Sequence, residues 1–306
     1  MKSVYLMFLR GLGLFLMFIL TLDFVSVSKA GDLRTLQERT FNTSMGKKLE
    51  LNTSSGDVYI STWDRPEVYV KVSGNKRASD KMHFNLQGDN SGVRMEGKSN
   101  SSWFSLGWNS VYVKYEIKLP NNYNAFIRTS GGDIKIYDLN GTIKFETSGG
   151  DISLFNTKGN TNISTSGGDI KLENTKGDMK ISTSGGDIQA RNFEGNLKAS
   201  TSGGDMKLQG KGGRVEASTT GGDITLDYFD TNYGIDLETS GGDITVKVPG
   251  NFSADADIST TGGEVECLLP ITQTGKLTSS KLKGALNGGG KTLHCYTSGG
   301  DIKILK

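Results

Sequence analysis

Apolar and polar residues alternate in short runs over most of this chain, and the runs come in pairs. Ile134-Lys-Ile136 is followed by Ile143-Lys-Phe145, Ile170-Lys-Leu172 by Met179-Lys-Ile181, and Ile224-Thr-Leu226 by Ile235-Asp-Leu237. Alternation with a period of two is the pattern of a strand with one buried face. It places Ile170 and Ile188 inward and Lys171 outward. Between the runs lie Gly-Gly, Asn-Thr-Lys-Gly and Asn-Phe-Glu-Gly, sequences suited to tight turns. No stretch after residue 30 reads as helical, so the pattern predicts an all-β chain.

The pairs are locked to a repeat. Thr-Ser-Gly-Gly-Asp-Ile begins at Thr129, Thr147, Thr165, Thr183, Thr239 and Thr297, with single substitutions in the copies at Thr201 and Thr219. Looser copies begin at Thr53 and Thr260. The step is 18 residues from Thr129 to Thr219, then 20, 21 and 37, the last close to two repeats. A short, strict period marks a solenoid. Two strands and two turns make one coil, which cannot bury its own apolar face; stacked coils can, each strand bonding to its equivalents above and below. At a spacing of ~4.8 Å the coils of residues 129–306 predict a rod of roughly 50 Å. The balance of 42 glycines to 4 prolines agrees. Corners with positive φ favour glycine, and proline would remove a donor from every ladder.

The ends differ from the repeats. Lys2 and Arg10 precede the apolar run Gly11 to Leu22, and Ser28-Lys29-Ala30 is a small-residue cleavage site before Gly31. Residues 1–30 therefore read as a secretory signal peptide, with a retained amino-terminal anchor as the alternative. Export to the periplasm, outer surface or medium follows, with no stable membrane span after cleavage. The whole chain carries 35 Lys+Arg against 33 Asp+Glu; losing Lys2, Arg10, Lys29 and Asp23 leaves it neutral. A neutral chain of mixed charge argues against nucleic acid as a partner. Residues 31–128 hold a degenerate coil, Leu49 to Ile60, and the strand patterns Val68–Val72, Val93–Met95 and Val111–Ile117 around a polar stretch near Lys76 to Asp80. They read as an irregular amino-terminal section that shields one end of the solenoid of residues 129–306. An independent β-domain is the alternative.

Gly56-Asp57-Val58-Tyr59-Ile60 followed by Trp63-Asp64-Arg65, and Ile117-Lys118-Leu119-Pro120 leading into the repeats from Thr129, carry a resemblance. The chain resembles a family of bacterial secreted proteins named as adhesins, built of β-strand repeats and without an assigned biochemical function. The resemblance covers most of residues 31–306. It implies a right-handed β-solenoid at the cell envelope and supplies no mechanism.

Candidate chemistry is sparse. Asp133, Asp151, Asp169, Asp187, Asp205, Asp223 and Asp243, with Glu264, should stack in one column. A calcium ladder is the metal-binding reading. The pattern lacks the second glycine of the calcium nonapeptide, so carboxylates bonded to turn N–H groups and facing Lys135, Lys171 and Lys207 are expected instead. His83 and His294 sit in no ligand-spaced motif and read as surface or loop residues. Cys267 and Cys295 occupy core-facing positions and read as free thiols, with a disulfide as the alternative. Ser-Thr-Ser triplets at Ser164, Ser182 and Ser200, and Ser-Thr-Thr at Ser218 and Ser259, would form a hydroxyl array for ice or polysaccharide if they faced outward. Trp103, Phe104 and Trp108 cluster in a polar segment, either to meet a sugar or protein partner or to cover the apolar end of the stack. No nucleophile elbow, phosphate loop or metal-spaced cysteine pair is present. We read a non-enzymatic binding or structural protein without cofactor, its partner an envelope polysaccharide or protein. A carbohydrate-active β-helix enzyme is the alternative.

Overall fold

The computed structural model describes residues 33–99, 111–273 and 278–306. The predicted signal peptide and the cluster of Trp103, Phe104 and Trp108 lie outside the described residues. Alternating residues build two sheets face to face, sheet A with 13 strands and sheet B with 14. Each 18-residue repeat gives one short strand to each sheet, such as Ile170–Glu173 to A and Met179–Ser182 to B. Equivalent strands pair in parallel and in register, Ile152 beside Ile170 beside Ile188 in A and Ile163 beside Ile181 beside Ala199 in B. The chain is an all-β solenoid, and its core is the continuous set of columns these residues form.

Four-residue strands buried on one face would be marginal alone. Here every four-residue strand is bonded on both sides, and the connecting turns are laddered as well. Thr165 shows how. Its side chain points inward and its hydroxyl donates to the Gly150 carbonyl of the neighbouring coil while accepting from Gly168 N–H. Thr183, Thr201 and Thr219 repeat the arrangement. The hydroxyl of the Thr before each of these Gly-Gly pairs is thereby satisfied, as burial of a polar group demands, whereas the buried Thr161 hydroxyl finds no partner.

The corners divide their labour in a way the repeat did not disclose. Left-handed φ falls on Asp138, Asn156, Asn174 and Asn192, at 62°, 54°, 55° and 53°. Asn and Asp tolerate this region best among residues with a Cβ. Their side chains form a second ladder, each amide donating to the residue 18 positions earlier at 2.9, 2.8 and 3.1 Å. Glycines with positive φ close the same connection three residues later, at Gly141, Gly159, Gly177 and Gly195. The second glycine of the Gly-Gly pair has another reason. A Cβ on Gly168 would collide with the carbonyl of Gly150, and Gly186 meets Gly168 likewise.

Stacking does not follow chain order at either end. The last coil, Thr292–Thr297 with Ile302–Leu305, lies between Ile235–Thr239 with Ile244–Lys247 and Ala254–Thr260 with Val265–Cys267. The 37-residue step is thus not two sequential coils. It holds the antiparallel strands Ile271–Gln273 and Lys281–Leu286 at the edge of sheet B, and a return into the stack. In the same way Lys48–Thr53 and Asp57–Trp63 sit between Gly92–Ser99 with Val113–Pro120 and Asn124–Thr129 with Ile134–Tyr137.

Antiparallel strands finish the amino-terminal end, Arg34–Asn42 and Glu67–Gly74 on sheet A and Met82–Asp89 on sheet B. A one-turn helix, Lys76–Lys81, links these edges, where only a polar stretch was expected. Asn75 caps it, its side chain accepting from Ala78 N–H, and Ala78 is buried. The cap and one buried alanine suffice for a single turn, which is too short to show a period. Charged and antiparallel terminal strands also hinder edge-to-edge pairing.

Candidate binding groove on sheet B

The outward face of sheet B is a pair of side-chain rails. Residues two apart along a strand face the same way. Thr142, Asn160, Asp178, Asn196 and Arg214 therefore form one rail, and Phe126, Lys144, Asn162, Lys180, Lys198 and Glu216 the other. Between them lie Ile143, Thr161, Met179 and Leu197, whose side chains face the core. The rails stand ~6.6 Å apart along the strand, and neighbouring members ~4.8 Å apart across strands. They enclose a hollow of about 530 Å³. A second, of about 230 Å³, shares Phe126 and Lys144 and continues to Lys48, Glu50 and Asn52. A third, of about 150 Å³, shares Lys198 and Glu216 and continues to Asp236 and Glu238. The three form one groove along the stack.

Part of the lining is already engaged. Lys198 Nζ and Arg214 Nε lie 2.8 and 2.7 Å from Glu216, and these two hydrogen bonds hold its carboxyl below the ordinary range. Arg128 and Lys144 act the same way on Glu146. Asp178 accepts from the Asn196 amide at 2.8 Å, and Asn196 accepts from Arg214 N–H at 2.9 Å. The side chains of Asn160, Asn162 and Lys180 make no hydrogen bond or ion pair among the described residues, and all three are exposed. Donors and acceptors in the middle of the groove are thus held on rigid strands and left open.

The aspartate column forms as a different object. Asp133 Oδ1 accepts from Asp151 N–H at 3.0 Å, Asp151 from Asp169 and Asp169 from Asp187 at 2.8 Å, and Asp187, Asp205 and Asp223 continue the ladder. The donor comes from the next coil, not from the residue's own turn. Because the last coil intrudes, Asp243 is followed by Asp301, whose carboxylate accepts from Glu264 N–H. Two of the three expected lysine partners turn elsewhere. Lys171 reaches Glu173 at 3.5 Å and lies over the Phe155 ring, while Lys135 lies over Tyr59. One oxygen of each bonded carboxylate is taken by backbone, a structural use of the column. The hydroxyl array does not lie on the surface as a whole, because Thr165, Thr183, Thr201, Thr219 and Thr260 are buried and bonded between coils. Only the flanking serines, with Thr220 and Thr261 in the later copies, remain outward.

The family model described as Toastrack DUF4097 matches residues 46–305. The chain belongs to the Toastrack family. No curated protein matches it. Among solved structures, the Toastrack chain is similar to a candidate lipid-binding protein from Parabacteroides distasonis at 16% identity and a TM-score of 0.51, covering 90% of this chain and 98% of that one. It is also similar to a candidate adhesin from Bacteroides fragilis at 14% identity and a TM-score of 0.46, again with 90% and 98% covered.

Two features of the Toastrack surface escaped the sequence reading. The groove rails are the polar half of the alternation, visible as Asn160, Asn162 and Lys180, but a period-2 pattern only says that they face out. The second is a meeting of Asp236, Glu238 and His294, whose ligand atoms lie within 4.8 Å of one another. His294 is on a strand and half-buried, with Nε2 3.6 Å from Glu238. It reaches Asp236 only because its coil is inserted out of order, so no spacing in the chain announces the group. Three donors are one fewer than a closed tetrahedral zinc site uses, and Arg214 already stands 3.8 Å from Asp236. Cys267 on sheet A is half-buried and Cys295 on sheet B fully buried, and both are free thiols. Burial pushes the Cys295 thiol far up, so it is inert as a nucleophile.

Proposed function

We propose that this protein is an exported, non-enzymatic binding protein of the cell envelope, and that the groove on sheet B is where it holds its ligand. The observation that carries this reading is the groove itself. It runs across successive coils, its walls are fixed by strands bonded on both sides, and its central polar groups are unpaired. Preorganised polar groups in a concave surface favour binding, because little ordering is left to occur when the ligand arrives. In the main hollow the carboxylates Asp178 and Glu216 are held by an amide and by two cations, which suits them to fixing the groove rather than to acid–base work. Export rests on the apolar amino-terminal run and agrees with a chain whose surface charges balance.

A binding screen of residues 31–306 against envelope glycans and proteins tests the reading, with Asn162→Ala/Lys180→Ala as the partner variant. The expected result is a ligand whose affinity falls at least tenfold in the variant while the thermal melt stays within a degree or two. A ligand lost instead on Trp103→Ala/Trp108→Ala, with the groove variant unaffected, would move the contact to the 100–109 segment.

A further inference from the structure

We propose that the ligand of this groove is a linear acidic polysaccharide lying along the stack axis, across the strands. The proposal rests on the groove being the binding site and names the class of molecule it takes. Three properties lead to it.

The first is what the floor withholds. The N–H groups of Ile143, Thr161, Met179 and Leu197 are bonded to the next coil at 2.8, 2.8, 2.8 and 2.9 Å. An extended peptide gains affinity by pairing with open backbone at a sheet edge, and the floor of this groove has none. A ligand must be gripped through side chains alone.

The second is the kind of side chain. Amides at Asn160 and Asn162, the Thr142 hydroxyl and the ammonium groups of Lys144 and Lys180 alternate along the two rails. Such groups meet a partner that presents hydroxyl and carboxylate oxygens at short, regular intervals. A single aromatic ring, Phe126, lines the two larger hollows. Single-stranded nucleic acid is held by a succession of stacking rings, one for each of several bases, and the groove offers no such platform.

The third is charge. The largest hollow is lined by Lys144, Lys180, Lys198 and Arg214 against Asp178 and Glu216. Lys198 and Arg214 share one carboxylate, which leaves Lys180 without an anion. Lys48, Arg128 and Lys144 outnumber Glu50 and Glu146 in the adjoining hollow. Beyond Glu216 the sign reverses, with Asp236 and Glu238 lining the third hollow. An anionic chain would therefore lie from the strand of Phe126 to that of Arg214 and stop there, five strand spacings or ~24 Å. That is room for several sugars in an extended chain.

The experiment measures binding of the compact unit Asp32–Lys306 to alginate, dextran sulfate, neutral dextran and single-stranded DNA. Lys180→Glu and Asn162→Ala are run beside the wild type. Lys180 and Asn162 are fully outward, so both variants should melt as the wild type does. The expected result is saturable binding to alginate that weakens several-fold between 50 and 300 mM salt, at least tenfold in Lys180→Glu, with no response to neutral dextran. Dextran sulfate in place of alginate would support the anionic class and assign sulfate as the group recognised. Equal binding of neutral dextran, weakened by Asn162→Ala, would overturn the acidic class and leave the groove as the site. Alginate binding unmoved by either variant would overturn the groove as well. Preference for DNA, or no response to either anionic glycan, would also overturn the proposal.

Discussion

The Gly-Gly pair separates two demands that a sequence presents as one. Sequence reasoning assigns the glycines as a class to corners with positive φ, which holds for the single glycines Gly141, Gly159, Gly177 and Gly195 but not for the pairs Gly167-Gly168 and Gly185-Gly186. The second glycine of each pair is required by contact with the coil beneath, since a Cβ on Gly168 would strike the Gly150 carbonyl. The first is not, because a Cβ on Gly167 would have its nearest neighbour 3.9 Å away. Contact between coils is a property of the stack, so it could not be read from one repeat. Left-handed asparagines at Asn156, Asn174 and Asn192 escaped for the same reason, their amide ladder existing only between coils. Gly168→Ala should lower stability by about 1–3 kcal/mol, the usual range for forced overpacking, while Gly167→Ala should change it by no more than about 0.5 kcal/mol. Paired urea melts of the two variants check this, and equal losses would mean that coils are not in van der Waals contact at that corner.

Strands were the most legible level. Alternation placed Ile170, Leu172, Met179 and Ile181 inside and Lys171 and Lys180 outside, and all six stand where the pattern put them. Met82–Asp89 carries the same alternation in Met82, Phe84 and Leu86, yet it lies outside the repeat, so the 18-residue period does not mark it as a strand. The one-turn helix at Lys76–Lys81 left no periodic trace because a single turn has none. The inward column can be tested directly. Ile170→Asp would bury a carboxylate against Ile152 and Ile188 on the neighbouring strands, costing about 4 kcal/mol or more. Lys171→Asp, one residue on, loses only an exposed pairing with Glu173 and a contact over Phe155, and should cost under about 1 kcal/mol. Circular dichroism melts showing equal tolerance would contradict the two-sheet core.

At the scale of the molecule, neighbours in the stack are not always neighbours in the chain. In a simple repeat array each unit touches only the next, and trimming the last removes one interface. Here the coil of Thr292–Thr297 and Ile302–Leu305 has a coil on both sides, so it closes a gap between Ile235–Lys247 and Ala254–Cys267. No pattern in the sequence could say so, because all coils offer similar apolar columns and the register of any two would match. The order is chosen by the connections, including the antiparallel pair of Lys281–Leu286 with Ala254–Thr260 that carries the chain back to the strand of Thr292. Removing residues 291–306 should therefore do more than shorten the rod. Leu237 and Ile258 would lose their shared partner Cys295, and Val246 would lose Ile304. Two interfaces open together, and the groove's third hollow loses the neighbour of Asp236. The truncated chain should show a first unfolding transition at lower denaturant, confined to residues 254–286 by hydrogen exchange, with the repeats from Thr129 to Thr219 still protected. A peptide of residues 291–306 added in excess should raise that transition again, by mass action on the open gap. A truncated chain that melts in one step at the wild-type midpoint would mean that the last coil is not wedged between its neighbours.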